Sequence, residues 1–411
     1  MRVWQFLLMT AVLGLLAITT GWKALFVLFY ALLVAFILCA AWMELSVRGI
    51  TFSRTTPIGR AEVGDRLEER LAVENHSWFP KLWLQMTDGS TLPGHAAGYV
   101  SSLGSRKRIS WRARTLCRQR GRYQLGPVTA TTGDPLGLFQ RTLPLAAAFP
   151  LLVLPRVVPL QTFALFQGVM PGRGRGSQRS PQTATNVVTV RDYVPGDPLT
   201  HIHWRSTAHQ GRFMVKDFDL DPTVDVTILL DLDPATQVGQ DEESTEEYSV
   251  TIAASLAAYL LRLRQVAVSL VVSGMPEGQL QFDRGERQLD RMLEVLAVAH
   301  PRAATPLSEA LALEAIRLAR NSAVIIITAS TNLTWPEGVH FLLRSGVRPV
   351  IVSLDPSSFA EDRPANGRVL ETLVALGVPA LSVRRGDDLA AVLQQGGSGA
   401  PVGTLAASRA S

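Results

Sequence analysis

Residues 191–233 read RDYVPGDPLTHIHWRSTAHQGRFMVKDFDLDPTVDVTILLDLD, and the two halves of this run decide the fold. In the first, Arg, Asp, Trp, His and Gly gather around the turn Pro195-Gly196-Asp197-Pro198. Asp197 is expected to cap a short helix with Pro198 at its first position. Ile202, Arg205 and His209 would then share one side of that helix, and His201, Trp204 and Ala208 another. The second half is an apolar strand, Val224–Leu230, that ends in Asp231 and Asp233. A strand delivering carboxylates at its C-terminal end is the layout of a ligand or ion site in an open α/β sheet.

Downstream of this run the rhythm is strand then helix. Strands are expected at 224–230, 266–272, 323–328, 347–353 and 378–383. Amphipathic helices are expected at 244–264, 286–298, 306–320, 338–344 and 367–376, with a last one at 387–394. Uniformly apolar strands such as Val324-Ile325-Ile326-Ile327 belong to sheets covered on both faces. Residues 187–395 therefore read as a doubly wound α/β domain. The small, polar residues 396–411 read as a disordered tail.

Upstream, residues 161–186 contain Pro171-Gly172-Arg173-Gly174-Arg175-Gly176-Ser177. Its Gly-x-Gly-x-Gly lacks a preceding strand and a following helix with Lys-Ser/Thr, so it reads as a linker and not a phosphate loop. Residues 46–160 alternate short apolar runs with turn signals, the pattern of an all-β sandwich. Gly133-Asp134-Pro135 and Gly137 form a tight turn before Leu138-Phe139. The basic run Arg106, Lys107, Arg108, Arg112, Arg114, Arg118, Arg120 and Arg122 reads as a solvated face near anionic lipid. Nucleic-acid binding with Trp111 and Tyr123 as stacking groups is the weaker reading.

Residues 1–43 hold two apolar runs separated by Gly21-Trp22-Lys23, long enough for a transmembrane helical hairpin. No small-x-small cleavage site precedes Trp22, which argues against a signal peptide. Arg2, Arg48, Arg54 and Arg60 flank the hairpin against a single Lys23 in the link. The positive-inside rule then places both ends in the cytoplasm. Cys39 and Cys117 are the chain's only cysteines, which excludes a disulfide scaffold and suits a reducing compartment. The net charge of +5 suits an anionic membrane surface and is too modest to argue for nucleic acid.

Three motifs coincide: RQRGRYQLGPVTATTGDPLGLFQR at 118–141, the segment Arg191 to Phe218, and the strand ending in Asp231. Within them stand Arg191, Tyr193, Pro195, Gly196, Asp197, Ile202 and Trp204. Together they resemble the membrane-anchored family called domain of unknown function 58, over roughly residues 45–385. The resemblance implies an immunoglobulin-like β-sandwich followed by a von Willebrand factor type A-like domain. It implies a partner more than a reaction: a MoxR-type AAA+ ATPase, in chaperone-like or envelope-related systems. The type A fold binds Mg²⁺ through Asp-x-Ser-x-Ser, a distant Thr and a later Asp, all hard oxygen donors. Here Asp231 fills the first place, Asp233 and Ala235 stand in the Ser places, Thr305 in the Thr place and Ala329 in the late Asp place. Two ligands are missing, so the site is expected to be degenerate: metal-free or weakly Mg²⁺-binding.

His201-x-His203 lacks further zinc ligands and reads as hydrogen-bonding histidine beside an anchoring Trp204. Asp241, Glu242, Glu243, Glu246 and Glu247 complement a helix dipole or offer a docking patch to a basic surface. No nucleophile elbow or Ser-His-Asp order stands out. A non-enzymatic membrane adaptor is therefore expected, the alternative being a metal-dependent hydrolase or Mg²⁺-dependent ligand-binding protein using Asp231 and Asp233.

Overall fold

The computed structural model describes residues 2–56, 59–167, 187–194, 197, 199–218, 224–301, 306–318 and 322–395. The chain divides into two compact units, residues 1–156 and 157–411.

The first unit opens with α1 (Arg2–Thr20) and α2 (Lys23–Ser46). At 1.5 Å per residue they run about 28 and 36 Å, against a hydrocarbon core of about 30 Å. Both are long and apolar enough to cross a membrane. Gly21, at φ +66°, ends α1 in the left-handed conformation that favours glycine. The helices lie antiparallel: Phe6 stacks on Phe36 with centroids 6.1 Å apart. Opposite Phe29 stands Gly14, where a Cβ would come within 2.9 Å of the ring.

Ten strands follow: β1 (Ile50–Thr55), β2 (Arg60–Glu62), β3 (Arg66–Asn75), β4 (Lys81–Asp88), β5 (Tyr99–Leu103), β6 (Arg108–Leu116), β7 (Gly121–Leu125), β8 (Val128–Gly133), β9 (Gln140–Ala146) and β10 (Phe149–Leu154). They form sheets ordered β1-β3-β6, β2-β10-β7 and β5-β4-β8-β9. Alternation along the strands turns Val73, Leu84, Met86, Leu103 and Ala130 into one apolar cluster. A second gathers Leu67, Leu125, Leu151 and Val153. Between the strands sits a buried polar network. Arg54 pairs with Glu69 and Asp88, each at 2.9 Å, and His95 Nε2 lies 3.3 Å from Asp88 and 3.4 Å from Glu69. Burial pushes the Asp88 carboxyl up, but hydrogen bonds from His95 and Ser90 and the Arg54 charge outweigh it and hold the group at about 2.

The helices are joined to the strands through Lys81. Its buried ammonium donates to Leu45 O (2.8 Å), Arg48 O (2.9 Å) and Ser77 Oγ (3.1 Å). A cation on the last carbonyls of α2 satisfies acceptors that no helical N–H reaches and complements the dipole. Trp42 packs edge-on against Phe79 at 4.5 Å, and Arg141 pairs with Glu44 at 3.2 Å.

In the second unit the residues expected as linker begin with packed structure. Phe163 is fully buried and α3 spans Ala164–Gln167; just before them, in residues expected within the β-sandwich, the Val158 N–H donates to Ser255 Oγ at 2.9 Å. Residues 168–186 lie outside those described. An antiparallel ribbon then pairs β11 (Val187–Asp192) with β12 (Met214–Phe218), with α4 (Trp204–Gln210) between them.

The main sheet has six strands: β13 (Val224–Leu230), β14 (Val266–Val272), β15 (Gln279–Asp283), β16 (Ala323–Thr328), β17 (Arg348–Leu354) and β18 (Ala380–Val383). Their order is β15-β14-β13-β16-β17-β18, so counted from β13 the sheet reads 3-2-1-4-5-6. All pairs are parallel except β14–β15. The helices are α5 (Thr245–Leu261), α6 (Glu286–Val298), α7 (Leu307–Arg317), α8 (Trp335–Arg344), α9 (Gly367–Ala375) and α10 (Leu389–Gln395). Leu229, Val324, Ile326 and Ile351 pack with Leu311, Trp335, Leu342 and Leu373 from α7, α8 and α9. Their neighbours Ile228, Ile325 and Ile327 point to the opposite face and are also fully buried. Burial on both faces explains the uninterrupted apolar strands. The tail expected at 396–411 lies outside the described residues.

Candidate functional site

The order of the sheet reverses between β13 and β16, and a crevice opens there beyond the strand ends, where open α/β sheets bind ligands. Asp231 is the first residue past β13 and Thr328 the last of β16. Asp231 is fully buried. Its backbone N–H continues the sheet to Ile327 O at 2.9 Å. Its carboxylate accepts the Thr328 hydroxyl at 2.6 Å on Oδ2 and the Asp233 N–H at 3.1 Å on Oδ1. Burial, with the charge of nearby Asp233, pushes this carboxyl up to about 6, despite the two hydrogen bonds that favour its charged form.

Asp233 reaches the crevice itself. Its Oδ1 accepts the Ala235 N–H at 3.0 Å, an Asx turn that starts the loop to α5. Gln237 fastens that loop, donating to Asp231 O at 3.1 Å and accepting from the Thr245 hydroxyl at 2.8 Å. On the other side, Ser330 N donates to Thr328 Oγ1 at 2.9 Å and Thr334 N to Asn332 Oδ1 at 3.0 Å. The Trp335 indole N–H reaches Ser330 O at 3.4 Å. Arg363 closes the rim, its guanidinium 3.4 Å from Ala235 O. The cleft so framed has a volume of about 330 Å³, lined by Asp233, Ser308, Ser330, Thr331 and Asn332 over a floor that includes Ala329 and Trp335.

The described donors fit a Mg²⁺ ion poorly. Asp231 is not among the residues lining the cleft, and Asp233 is the one carboxylate among the described residues that do. The alanines expected at two ligand places are here as well: Ala235 and Ala329 both line the cleft without offering a side-chain oxygen. A Mg²⁺ ion wants near-octahedral oxygen donors, usually with charged carboxylates among them. Thr305 lies outside the described residues. No group of three or more His, Cys, Asp or Glu suited to a metal occurs among the described residues.

The turn motif builds a separate constellation. Arg191 holds Asp197 in a two-pronged pair, both contacts at 2.8 Å, and Asp197 Oδ2 also accepts the Val194 N–H at 3.0 Å. The Tyr193 ring meets Phe213 edge-on at 6.1 Å. Ile202 is buried and bridges to Val215. Three expectations are corrected here. The short helix expected after Asp197 is a 3-10 turn, Leu199–His201; the α-helix comes later, at α4, and its cap is His203, whose Nδ1 accepts the Ser206 N–H at 3.3 Å. Asp197 is instead consumed by Arg191 and the turn. Trp204 is no anchor either, because as the first residue of a seven-residue helix its indole is 65% exposed. Ile202, taken as part of that helix, precedes it. Pro195 and Gly196 lie outside the described residues.

Elsewhere, the basic run is partly answered by acids across the strands: Arg114 pairs with Glu68 at 2.8 Å, and Arg108 stands opposite Glu74. Trp111 stacks on Tyr99 at 4.9 Å and donates to Ala97 O. In the acidic cluster Glu243 pairs with Arg385, and Glu246 lies 2.8 Å from His300. Ser244 caps α5, accepting the Glu247 N–H at 3.2 Å.

Helices able to span a membrane, a β-rich region and an α/β unit with a parallel sheet define the class. A family model, Protein of unknown function DUF58, matches residues 189–354. That range runs from the ribbon through β17 and takes in both sides of the cleft. The uncharacterized protein YeaD of Bacillus subtilis (strain 168) is 24% identical over 311 residues, covering 73% of this chain and 75% of its own. Among solved structures, the CARDB domain of the PF1109 protein from Pyrococcus furiosus, in complex with di-metal ions, is 16% identical. It covers 25% of this chain and 91% of its own, with a TM-score of 0.20. A chain from the human complex of Zinc 2-glycoprotein with Prolactin inducible protein is 12% identical over 25% of this chain and 93% of its own, with a TM-score of 0.19.

Proposed function

We propose that the chain is a non-enzymatic adaptor, anchored in the inner (plasma) membrane by α1 and α2 with its other residues in the cytoplasm. Its α/β unit, von Willebrand factor type A-like, offers the switch-point cleft to a protein partner, a MoxR-type AAA+ ATPase, in chaperone-like or envelope-related assembly. The strand order and the position of Asp231 at the end of the sheet's first strand support the type A reading. The observation that carries the adaptor reading is the chemistry of the cleft. The described residues lining it offer hydroxyls, one amide, one carboxylate and one guanidinium, with no imidazole or thiol. Such a rim exchanges hydrogen bonds with a polypeptide. General acid–base or nucleophilic catalysis needs a paired base and nucleophile within hydrogen-bond reach.

Asp231 serves this cleft from behind. It fixes the distance between the β13 and β16 loops through Thr328 and Asp233. The test is binding of the full chain, held in lipid nanodiscs, to the purified ATPase. Asp233→Arg should abolish binding while the chain stays folded. If that variant binds like the wild type, the partner surface lies elsewhere. If wild-type binding instead appears only with added Mg²⁺ in a partner state that needs none itself, the metal-dependent alternative replaces this reading.

A further inference from the structure

The turn at 134–139, Asp-Pro-Leu-Gly-Leu-Phe, plays no part in the cleft, and it lies against α2. Phe139 packs on Phe36 at 5.3 Å, and the Asp134 carboxyl lies beside Cys39. Contacts between α2 and the strands descend in order along the helix: Lys81 at Leu45, Arg141 at Glu44, Phe79 at Trp42, Phe139 at Phe36. Between Lys23 and Glu44 no charged residue occurs, and those twenty residues span about 30 Å, the thickness of a hydrocarbon core. Phe36 stands eight residues inside Glu44, about 12 Å along the helix. Pairing of Phe6 with Phe36 and of Gly14 with Phe29 brings Arg2 level with Ala40. Even a bilayer face drawn there leaves Phe36 about 6 Å below it.

We infer that this turn enters the bilayer beside α2, with Leu136 as its lipid-facing tip and Leu138 and Phe139 behind it. The inference rests on the anchor reading of α1 and α2. Backbone N–H groups near lipid need internal partners, and three in this turn find them on Asp134. Pro135 has no N–H. Leu136 N–H donates to Asp134 Oδ2 at 2.9 Å, Phe139 N–H to Oδ1 at 2.5 Å, and Gly137 N–H to Asp134 O at 3.2 Å. Gly137 supplies the positive φ of +68° the turn needs. Asp134 is thereby enclosed by the turn it satisfies, while Leu136 is 58% exposed. At the level of Trp42, Trp78 is 68% exposed beside Phe79, an aromatic at the depth where membrane proteins place their interfacial belts. Arg141, two residues past Phe139, sits at the charged boundary with Glu44. The occupant proposed for this apolar end is therefore lipid, continuous with the lipid around α2.

The experiment uses the full chain in liposomes with an environment-sensitive dye on Leu136→Cys, and separately on Ile37→Cys as a reporter of the span. The wild type, whose two cysteines are buried, is the labelling blank. Nitroxide lipids carrying the spin label at a shallow acyl position supply the quencher. The expected result is blue-shifted emission at both positions and loss of emission at both with the quencher. Quenching at 37 with solvent-like emission at 136 overturns the inference and leaves the anchor standing. Blue-shifted but unquenched emission at 136 also overturns it, placing the turn against protein. Loss of quenching at both positions removes the anchor reading and this inference with it.

Discussion

Two buried carboxylates respond to pH in opposite directions, and their surroundings say why. For Asp231 burial wins, and the folded state holds its proton to about 6, well above the ordinary carboxylate value of about 4. A raised folded pKa gives stability that is fully present below the unfolded value and lost as pH rises through about 6. Asp231→Asn can keep the contacts to Thr328 and Asp233 without the charge. It should match the wild type near pH 4 and exceed it at pH 8, by up to on the order of 3 kcal/mol, read as a melting-temperature gap that opens with pH. Asp88 is the reverse case. Its pKa of about 2 stabilises the fold above the ordinary carboxylate range, and that contribution is lost as pH falls towards 2. Arg54→Met would leave Asp88 and Glu69 without their guanidinium and should cost about 3–5 kcal/mol, measured by denaturant unfolding. Lys81→Met removes the cation from the end of α2 and should cost about 2–3 kcal/mol, seen in the same measurement.

At the scale of elements, the central strands were plain in the sequence because both of their faces are covered. Val224–Leu230, Val266–Val272 and Ala323–Thr328 have the ends that their apolar runs predict. The edges were harder. Gln279–Asp283 pairs on one side only, and its QLQFD is too short and mixed to announce a strand. The start of α4 was misplaced because Asp197 followed by proline is a good capping signal, and nothing local reveals that Arg191 claims that carboxylate. Asp231 and Asp233 were legible from their place after a buried strand. Thr328, Ser330 and Asn332 were not, because their role depends on which strand neighbours β13, a fact of topology. Gln237 and Arg363 likewise meet the site only through folding. Ser244 with Glu247 is a sequence signature of a helix start, and the structure uses Ser244 that way. Ser244→Ala should destabilise the α/β unit by about 1 kcal/mol, seen as faster amide exchange in the first turn of α5.

For the whole molecule, α1 and α2 are long and apolar enough to cross a membrane, and Lys81, Trp42 and Arg141 make the β-rich region a continuation of α2. The α/β unit brings a cleft whose described loops are tied by side-chain hydrogen bonds, with the Asp231 carboxyl spent on the frame. Such bracing suits an adaptor: a pre-formed surface loses little entropy on binding. The most direct test of the adaptor account compares ATPase binding by wild type, Asp233→Arg and Asp231→Asn, each as full-length protein in nanodiscs. The account predicts binding by the wild type and Asp231→Asn and none by Asp233→Arg, with all three folded. Binding by Asp233→Arg, or loss of binding by a folded Asp231→Asn, would contradict it.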